Sequence, residues 1–218
     1  LSWEDMAVAS SSPELFLRVG ADGAVVSKPI KGTRARGDSA RADLEARAEL
    51  AASPKDRAEN LMIADLVRND LGRVCELGSV RCDPLMAVES YATVHQLDTT
   101  VRGTLQPGVG VPELQAATFP GGSMTGAPKL RTTEILAALE ESPRGVYSGG
   151  SGYLGFGRTA CLAMAIRTAV IEGERISVGA GGAIVDGSDP GGEWDEMMHK
   201  AYAVIGAISA TEARRAGP

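Results

Sequence analysis

Cysteine is scarce, and its placement excludes more than its number does. Cys75, Cys82 and Cys161 are the only three in 218 residues, an odd count with no CxxC pair. Such spacing suits neither a disulfide framework nor a zinc site and reads as free thiols in a reducing cytoplasm. Long apolar runs are missing too. The longest nearly unbroken one, from Ala160 to Ile166, falls far short of the roughly 20 residues a bilayer-spanning helix needs. No leader with a basic start and an apolar middle opens the sequence, so it carries no sign of secretion and no membrane partner is expected. A Lys/Arg-rich block is also lacking. With 22 basic against 28 acidic residues the net charge is −6, which argues against a nucleic-acid partner.

What remains is an ordinary globular composition, 44% apolar and 23% charged, enough for a core in one or two domains. Leu1 to Val8 reads as part of a strand, and domains seldom begin mid-element, so a portion of a longer polypeptide is expected. The pattern predicts a strand over 7–19 with a turn at Ser11-Ser12-Pro13, then a hairpin turn over 20–23. Asp38 or Ser39 is placed to cap a helix through Leu50. A second helix has Ser53 at its N-cap, Pro54 at N1 and Asp56 at N3, and runs to about Asn69 with Leu61, Met62 and Leu66 facing the core. Short strands are expected at 74–77, 80–82, 86–88 and 93–101. A helix over 128–139, strands at 152–156, 160–170 and 176–178, and a last helix over 193–208 complete the reading. Groups of hairpin-like strands alternating with helices predict an α+β fold rather than a doubly wound parallel sheet.

Candidate chemistry gathers at a few positions. Lys31 lies in Pro29-Ile30-Lys31-Gly32-Thr33-Arg34, where proline fixes φ and glycine permits reversal, so a tight turn is expected. A lysine held in a dry turn loses its proton readily, and the neutral amine is a nucleophile; a solvated loop lysine is the plainer alternative. Glu193, Glu196 and Lys200 fall at i, i+3 and i+7 on one helical face. That spacing suits an acidic first turn with an i, i+4 ion pair. It equally suits paired carboxylates for a hard cation such as Mg²⁺, with Glu59 on another helix as a third oxygen donor. Arg167 interrupts an apolar strand and needs an anion, either an internal carboxylate or one on a bound substrate. Glycine-rich loops at 179–182 and 121–126, the second with the Ser123 and Thr125 hydroxyls, can approach an anion closely or simply make turns. Neither has the Gly-Lys-Ser/Thr ending of a Walker A loop. His95 lies on an apparent strand, where a satisfied structural role is the plainer reading.

Taken in order, several segments resemble the C-terminal part of the chorismate-utilising enzymes. They are Ser11-Ser-Pro-Glu-Leu-Phe16, Pro29-Ile-Lys-Gly-Thr-Arg34, the stretch from Glu59 to Arg73, Val94-His-Gln96, the stretch from Phe119 to Lys129, Gly150-Gly-Ser-Gly-Tyr-Leu-Gly155, and Gly179 through Lys200. The resemblance implies part of an αβ sandwich with large antiparallel sheets, the chain forming the C-terminal portion of a single chorismate-binding domain. It implies Mg²⁺ held by Glu59, Glu193 and Glu196. It also implies a substrate site using Thr33, Ser123, Tyr147, Arg167, Gly181 and Gly182. Glu14, His95 and Lys200 correspond to acid/base or positioning residues. Most members of the family carry alanine at the position of Lys31, and lysine resembles the aminodeoxychorismate synthases. In that branch the amine attacks chorismate, and ammonia from a separate or fused glutamine amidotransferase displaces it, on the route to p-aminobenzoate and folate. Asn60 departs from the histidine that many relatives carry after the metal-site glutamate. Anthranilate synthesis and a truncated, non-catalytic chorismate-binding subunit are the alternatives.

Overall fold

Two successive helices turn about one serine. α1 (Ala40–Ala52) starts at Ser39, whose hydroxyl accepts the Ala42 N–H. At the other end the Ser53 N–H caps the Leu50 carbonyl. α2 (Pro54–Gly72) then starts at that same Ser53, which accepts the Asp56 N–H, with proline in the first turn where its missing donor matters least. Both starts match the sequence reading. The inward face of α2 does not. Asn60, Ile63, Ala64 and Leu71 are buried, whereas Leu61 and Met62 are exposed. Hydrophobicity alone misphased the helix because two of its inward residues, Asn60 and Asp70, are polar.

The computed structural model describes the backbone of residues 1–216 and the side chains of residues 1–211. It divides into two compact units. The larger comprises Glu14–Glu141 and Ser151–Ala163; the smaller comprises Leu1–Pro13, Ser142–Gly150 and the chain from Met164.

In the larger unit a six-stranded sheet runs in the order β5 (Arg81–Cys82), β8 (Val101–Thr104), β3 (Ala24–Lys28), β2 (Leu15–Val19), β10 (Ala160–Met164) and β9 (Gly150–Leu154). The β2–β3 hairpin closes over the expected 20–23 turn, the Gly20 N–H donating to the Ala24 carbonyl. A second sheet orders β4 (Ile30–Ala35), β7 (Val94–Asp98) and β6 (Ala87–Ser90), with α1 and α2 against it. Leu50, Ile63 and Leu97 are its fully buried centre. Three further helices follow: α3 (Val111–Thr118), the single turn α4 (Gly122–Thr125) and α5 (Lys129–Leu139). Of these only α5 was expected.

The smaller unit holds a three-stranded antiparallel sheet of β1 (Met6–Ser10), β11 (Thr168–Glu172) and β12 (Arg175–Val178), followed by α6 (Pro190–Ala216). The Asp189 carboxylate accepts the Gly192 N–H at 2.7 Å, an N-cap with Pro190 just behind it. α6 is the longest helix described. Even so, among the described residues no helix is long and apolar enough to cross a membrane.

Several expected strands are cut shorter. The segment 7–19 is two strands with different partners, because the Ser11–Pro13 stretch ends one pairing before the next begins. Thr99 and Thr100 separate β7 from β8 in different sheets. The run 160–170 breaks at Arg167, whose φ is +48°, so this arginine is not inside a buried strand. The expected strand at 74–77 reduces to a single bridge between Cys75 and Leu105. Lys31 lies on strand β4 rather than in a reversing turn.

Candidate functional site

A bulge in β4 presents Lys31. Ile30 pairs with Asp98 and Thr33 with Gln96, so Lys31 and Gly32 together face the single residue Leu97. The extra residue bends the strand and re-aims its side chains. Gly32 has φ +85°, and a Cβ there would meet Leu50 Cδ1 at 2.8 Å and Asp56 Cβ at 2.9 Å. Glycine is therefore required by conformation and by space, and the chain continues as a strand instead of reversing.

Two other residues singled out from the sequence meet Lys31 here. Glu14, just ahead of β2, is 8% exposed. Burial raises its carboxyl pKa above the ordinary range, opposed by a hydrogen bond with Ser123 and by the Lys31 charge. Ser123 stands on α4, where Gly122 lies directly against the Leu66 side chain with no room for a Cβ. Lys129 fixes the far end of this loop, donating to Asp70 at 2.5 Å and to the Thr118 carbonyl at 2.9 Å. A buried acid, a half-buried amine and a hydroxyl on three separate elements thus share one corner.

The remaining candidates of this unit lie differently. Thr33 is exposed on β4. His95 is fully buried on β7, with Nδ1 2.8 Å from Ser90 Oγ and Nε2 3.0 Å from Asp43 Oδ1. Asp43 also receives Arg36 and the Gly37 N–H, and the Arg36 hydrogen bond is the main reason its carboxyl titrates well below the usual range. Both ring nitrogens of His95 are therefore engaged in tying α1 to β6 and β7. Glu59 is half-buried, one residue before Asn60. Asn60 donates to the Leu97 carbonyl at 3.2 Å and accepts from Thr99 Oγ1, which sets the helix rotation on which Glu59 rides.

In the smaller unit the strand end of β12 runs into the glycine loop, and Tyr147 lies over it. A Cβ on Gly179 would collide with the Tyr147 ring, and one on Gly181 would come within 2.9 Å of its hydroxyl oxygen. The Arg144 guanidinium sits 5.9 Å from the Tyr147 ring centroid and donates to Ser148 Oγ at 3.1 Å. Glu193 is buried; its Oε1 accepts from Ser188 at 2.7 Å, and a Cβ on Gly182 would stand 3.2 Å from its Oε2. Lys200 pairs with Glu196 at 2.6 Å and donates to the Gly181 carbonyl at 3.3 Å. Tyr147, Gly181, Gly182, Glu193, Glu196 and Lys200 are thus brought together, and the i, i+4 pair expected from spacing is formed. Arg167 is half-buried, and among the described residues its guanidinium has no hydrogen-bond or ion-pair partner. The internal salt bridge weighed for it is not formed among the described residues.

Sequence reasoning missed Arg144, Ser188 and the Lys28–Asp98–Glu89 cluster beside β4. Nothing in their spacing marks them; each is recruited by tertiary contact. As for a cation, Glu193 and Glu196 offer hard oxygen donors one helical turn apart, and Mg²⁺ needs only one or two protein carboxylates besides water and substrate oxygens. The chemistry of these donors fits Mg²⁺. Among the described residues no group of three or more His, Cys, Asp or Glu is arranged to hold a metal ion.

A sequence model of the chorismate binding enzyme family matches residues 1–206. The chain belongs to that family. It is 54% identical to an aminodeoxychorismate synthase of Streptomyces pristinaespiralis, over 95% of this chain and 29% of that protein. It is 41% identical to anthranilate synthase component 1 of Aquifex aeolicus, over 97% of this chain and 43% of that one. Among solved structures, anthranilate synthase component I of Streptococcus pneumoniae TIGR4 superposes with a TM-score of 0.83 at 35% identity, covering 93% of this chain and 44% of that chain. The chain spans less than half the length of each of these relatives. The α+β architecture with antiparallel sheets expected from the sequence is the family's fold.

Proposed function

We propose that the chain is the chorismate-binding portion of an enzyme that aminates chorismate at C4, giving 4-amino-4-deoxychorismate. The observation that carries this reading is Lys31 on its bulge beside Glu14. A neutral lysine amine attacks ring carbon C2, the double bond shifts, and the C4–O bond breaks. Glu14, which burial keeps protonated to higher pH than an ordinary carboxyl, is suited to give the departing hydroxyl its proton, so that water leaves. Ammonia then adds at C4, the double bond shifts back, and the C2–N bond breaks to return the amine to Lys31. Chorismate and ammonia go in; product and water come out. The supporting relatives include aminodeoxychorismate synthases at 50–54% identity.

The remaining assignments belong to the same proposal. Arg167, half-buried and without a side-chain partner among the described residues, takes a substrate carboxylate together with Tyr147 and the Gly181–Gly182 backbone. Thr33 and Ser123 supply polar contacts to the ring. Lys200 and His95 position charged and polar groups. Mg²⁺, held by Glu193 and Glu196 with Glu59, would supply charge neutralisation for the second carboxylate of the substrate. Ammonia would come from a glutamine amidotransferase. The setting is cytoplasmic, in keeping with three free cysteines.

The test supplies chorismate, Mg²⁺ and ammonium to the protein and separates the products. Aminodeoxychorismate should form, and Lys31→Ala should lose at least about 100-fold in rate. Anthranilate as the main product would overturn the reading in favour of anthranilate synthesis, the chemistry of the Aquifex aeolicus relative. Thermal stabilisation by chorismate without any turnover would favour a binding subunit.

A further inference from the structure

Beside the bulge lies a charged cluster that the reaction outlined above does not use. Asp98 ends β7 and is 1% exposed, yet its Oδ1 has no hydrogen bond. The nearest countercharge is the Lys28 ammonium at 3.5 Å. Lys28 in turn pairs with Glu89 at 2.6 Å, and Glu89 accepts from the Tyr91 hydroxyl at 2.7 Å. A buried carboxylate with so little compensation is expensive, and replacing one by a neutral group is often stabilising. Its presence therefore calls for a use.

The register supplies one. Asp98 is the Cα partner of Ile30, the residue before Lys31, and the next residue, Thr99, donates its N–H to the Pro29 carbonyl at 3.2 Å. Lys28 ends β3 immediately before Pro29, and its own Cα partner is Leu15, the residue after Glu14. The Asp98–Lys28 contact thus straddles the junction that carries Lys31 onto β4 and the strand start that carries Glu14. The charged or titratable groups facing Asp98 are Lys28 from β3 and Glu89 from β6, with Tyr91 behind Glu89. From β4 comes apolar Ile30, and from α2 comes neutral Asn60, bonded to Leu97 and Thr99.

We infer that Asp98, acting through Lys28, is a positioning residue for Lys31. The ionised carboxylate draws the Lys28 ammonium against the Pro29–Ile30 junction and holds the bulge that presents the Lys31 amine, and the protonated acid releases it. The role in turnover rests on the proposed amination; the linkage between Asp98 and the Lys31 bulge does not. Burial raises the Asp98 pKa to about 6, with Lys28 pulling it down, so release falls at mildly acidic pH.

The linkage is read by amide chemical shifts of Lys31 and Gly32 in the 218-residue chain, titrated from about pH 4.5 to about pH 8. Glu14→Gln is the background, so that Glu14 does not contribute. A titration with a midpoint near 6 is expected there, and Asp98→Asn added to it should abolish that component. Persistence of the component in Glu14→Gln/Asp98→Asn, or its absence in Glu14→Gln, overturns the inference. If Asp98→Asn does not fold, Lys28→Met and Lys28→Arg decide. Lys28→Met should abolish the component and Lys28→Arg should keep it, and persistence of the component in Lys28→Met overturns it. In turnover, kcat for chorismate amination should fall on the acid side with that same midpoint. Asp98→Asn should lower kcat by about tenfold at neutral pH, flatten the acid limb and leave KM within about twofold. Wild-type kcat with an intact acid limb in Asp98→Asn counts against the inference alone. Absence of amination in the wild-type protein counts against the proposed function, and the amide titration still decides the linkage.

Discussion

Glu14 and Lys31 meet although 16 residues and a hairpin separate them, and the pair holds an acid and an amine in one desolvated corner. Burial, the larger influence on Glu14, favours its neutral form; the Ser123 hydrogen bond and the Lys31 charge oppose that. A carboxyl whose pKa is raised on folding adds stability at pH below its unfolded value and loses it as pH rises through the folded value. Glu14→Gln should therefore match the wild-type melting temperature near pH 4 and equal or exceed it near pH 8, while amination slows by about 100-fold and its alkaline limb disappears. A variant that melts earlier at pH 8 would refute the burial argument.

Gly32→Ala tests the bulge itself. The substitution forces a side chain onto φ +85° and into contact with Leu50 and Asp56. A loss of about 1–3 kcal/mol in denaturant titration is expected, with a larger fractional loss of turnover than of chorismate binding because the Lys31 amine is re-aimed. Full stability in Gly32→Ala would mean that the strand pairs without its bulge.

Glu196→Gln keeps shape and removes charge on the exposed side of α6. Folding should survive, since the Glu196–Lys200 pair is solvent-exposed and contributes about 0.3–0.5 kcal/mol. Mg²⁺ dependence of turnover should weaken by about tenfold or more. Unchanged Mg²⁺ dependence would remove Glu196 from the metal site.

Asn60→Ala removes the side-chain donor to the buried Leu97 carbonyl and the acceptor of the buried Thr99 hydroxyl, whose oxygen keeps the Met86 N–H. A loss of about 2–4 kcal/mol is expected in equilibrium unfolding. A smaller penalty would indicate that water replaces the amide.

Local signals were the legible part of this fold. Ser39, Ser53, Pro54 and Asp56 announce two helix starts in a form the structure reproduces, because capping depends on neighbours within one turn. α3 carries a comparable signal, Pro112 and Glu113 in its first turn. Strand ends were less legible. Whether β7 stops at Asp98 or continues through Val101 depends on which sheet claims each half, and that is decided by partners distant in sequence. The motif residues Glu14, Lys31 and Ser123 were recognised by resemblance, but spacing alone does not place them at one corner. Asp98 escaped notice because it fell within the expected strand 93–101 with nothing in its spacing to mark it, and only the tertiary structure buries it.

One hydroxyl, that of Ser53, closes a helix start while the same residue's amide finishes the preceding helix. The corner between α1 and α2 is consequently a shared hinge pin, and neither helix can fray there without loosening its neighbour. Deuterium uptake at the amides of 53 and 56 should rise in step under rising denaturant, making this elbow a single cooperative element that braces Leu50 beneath the glycine next to Lys31.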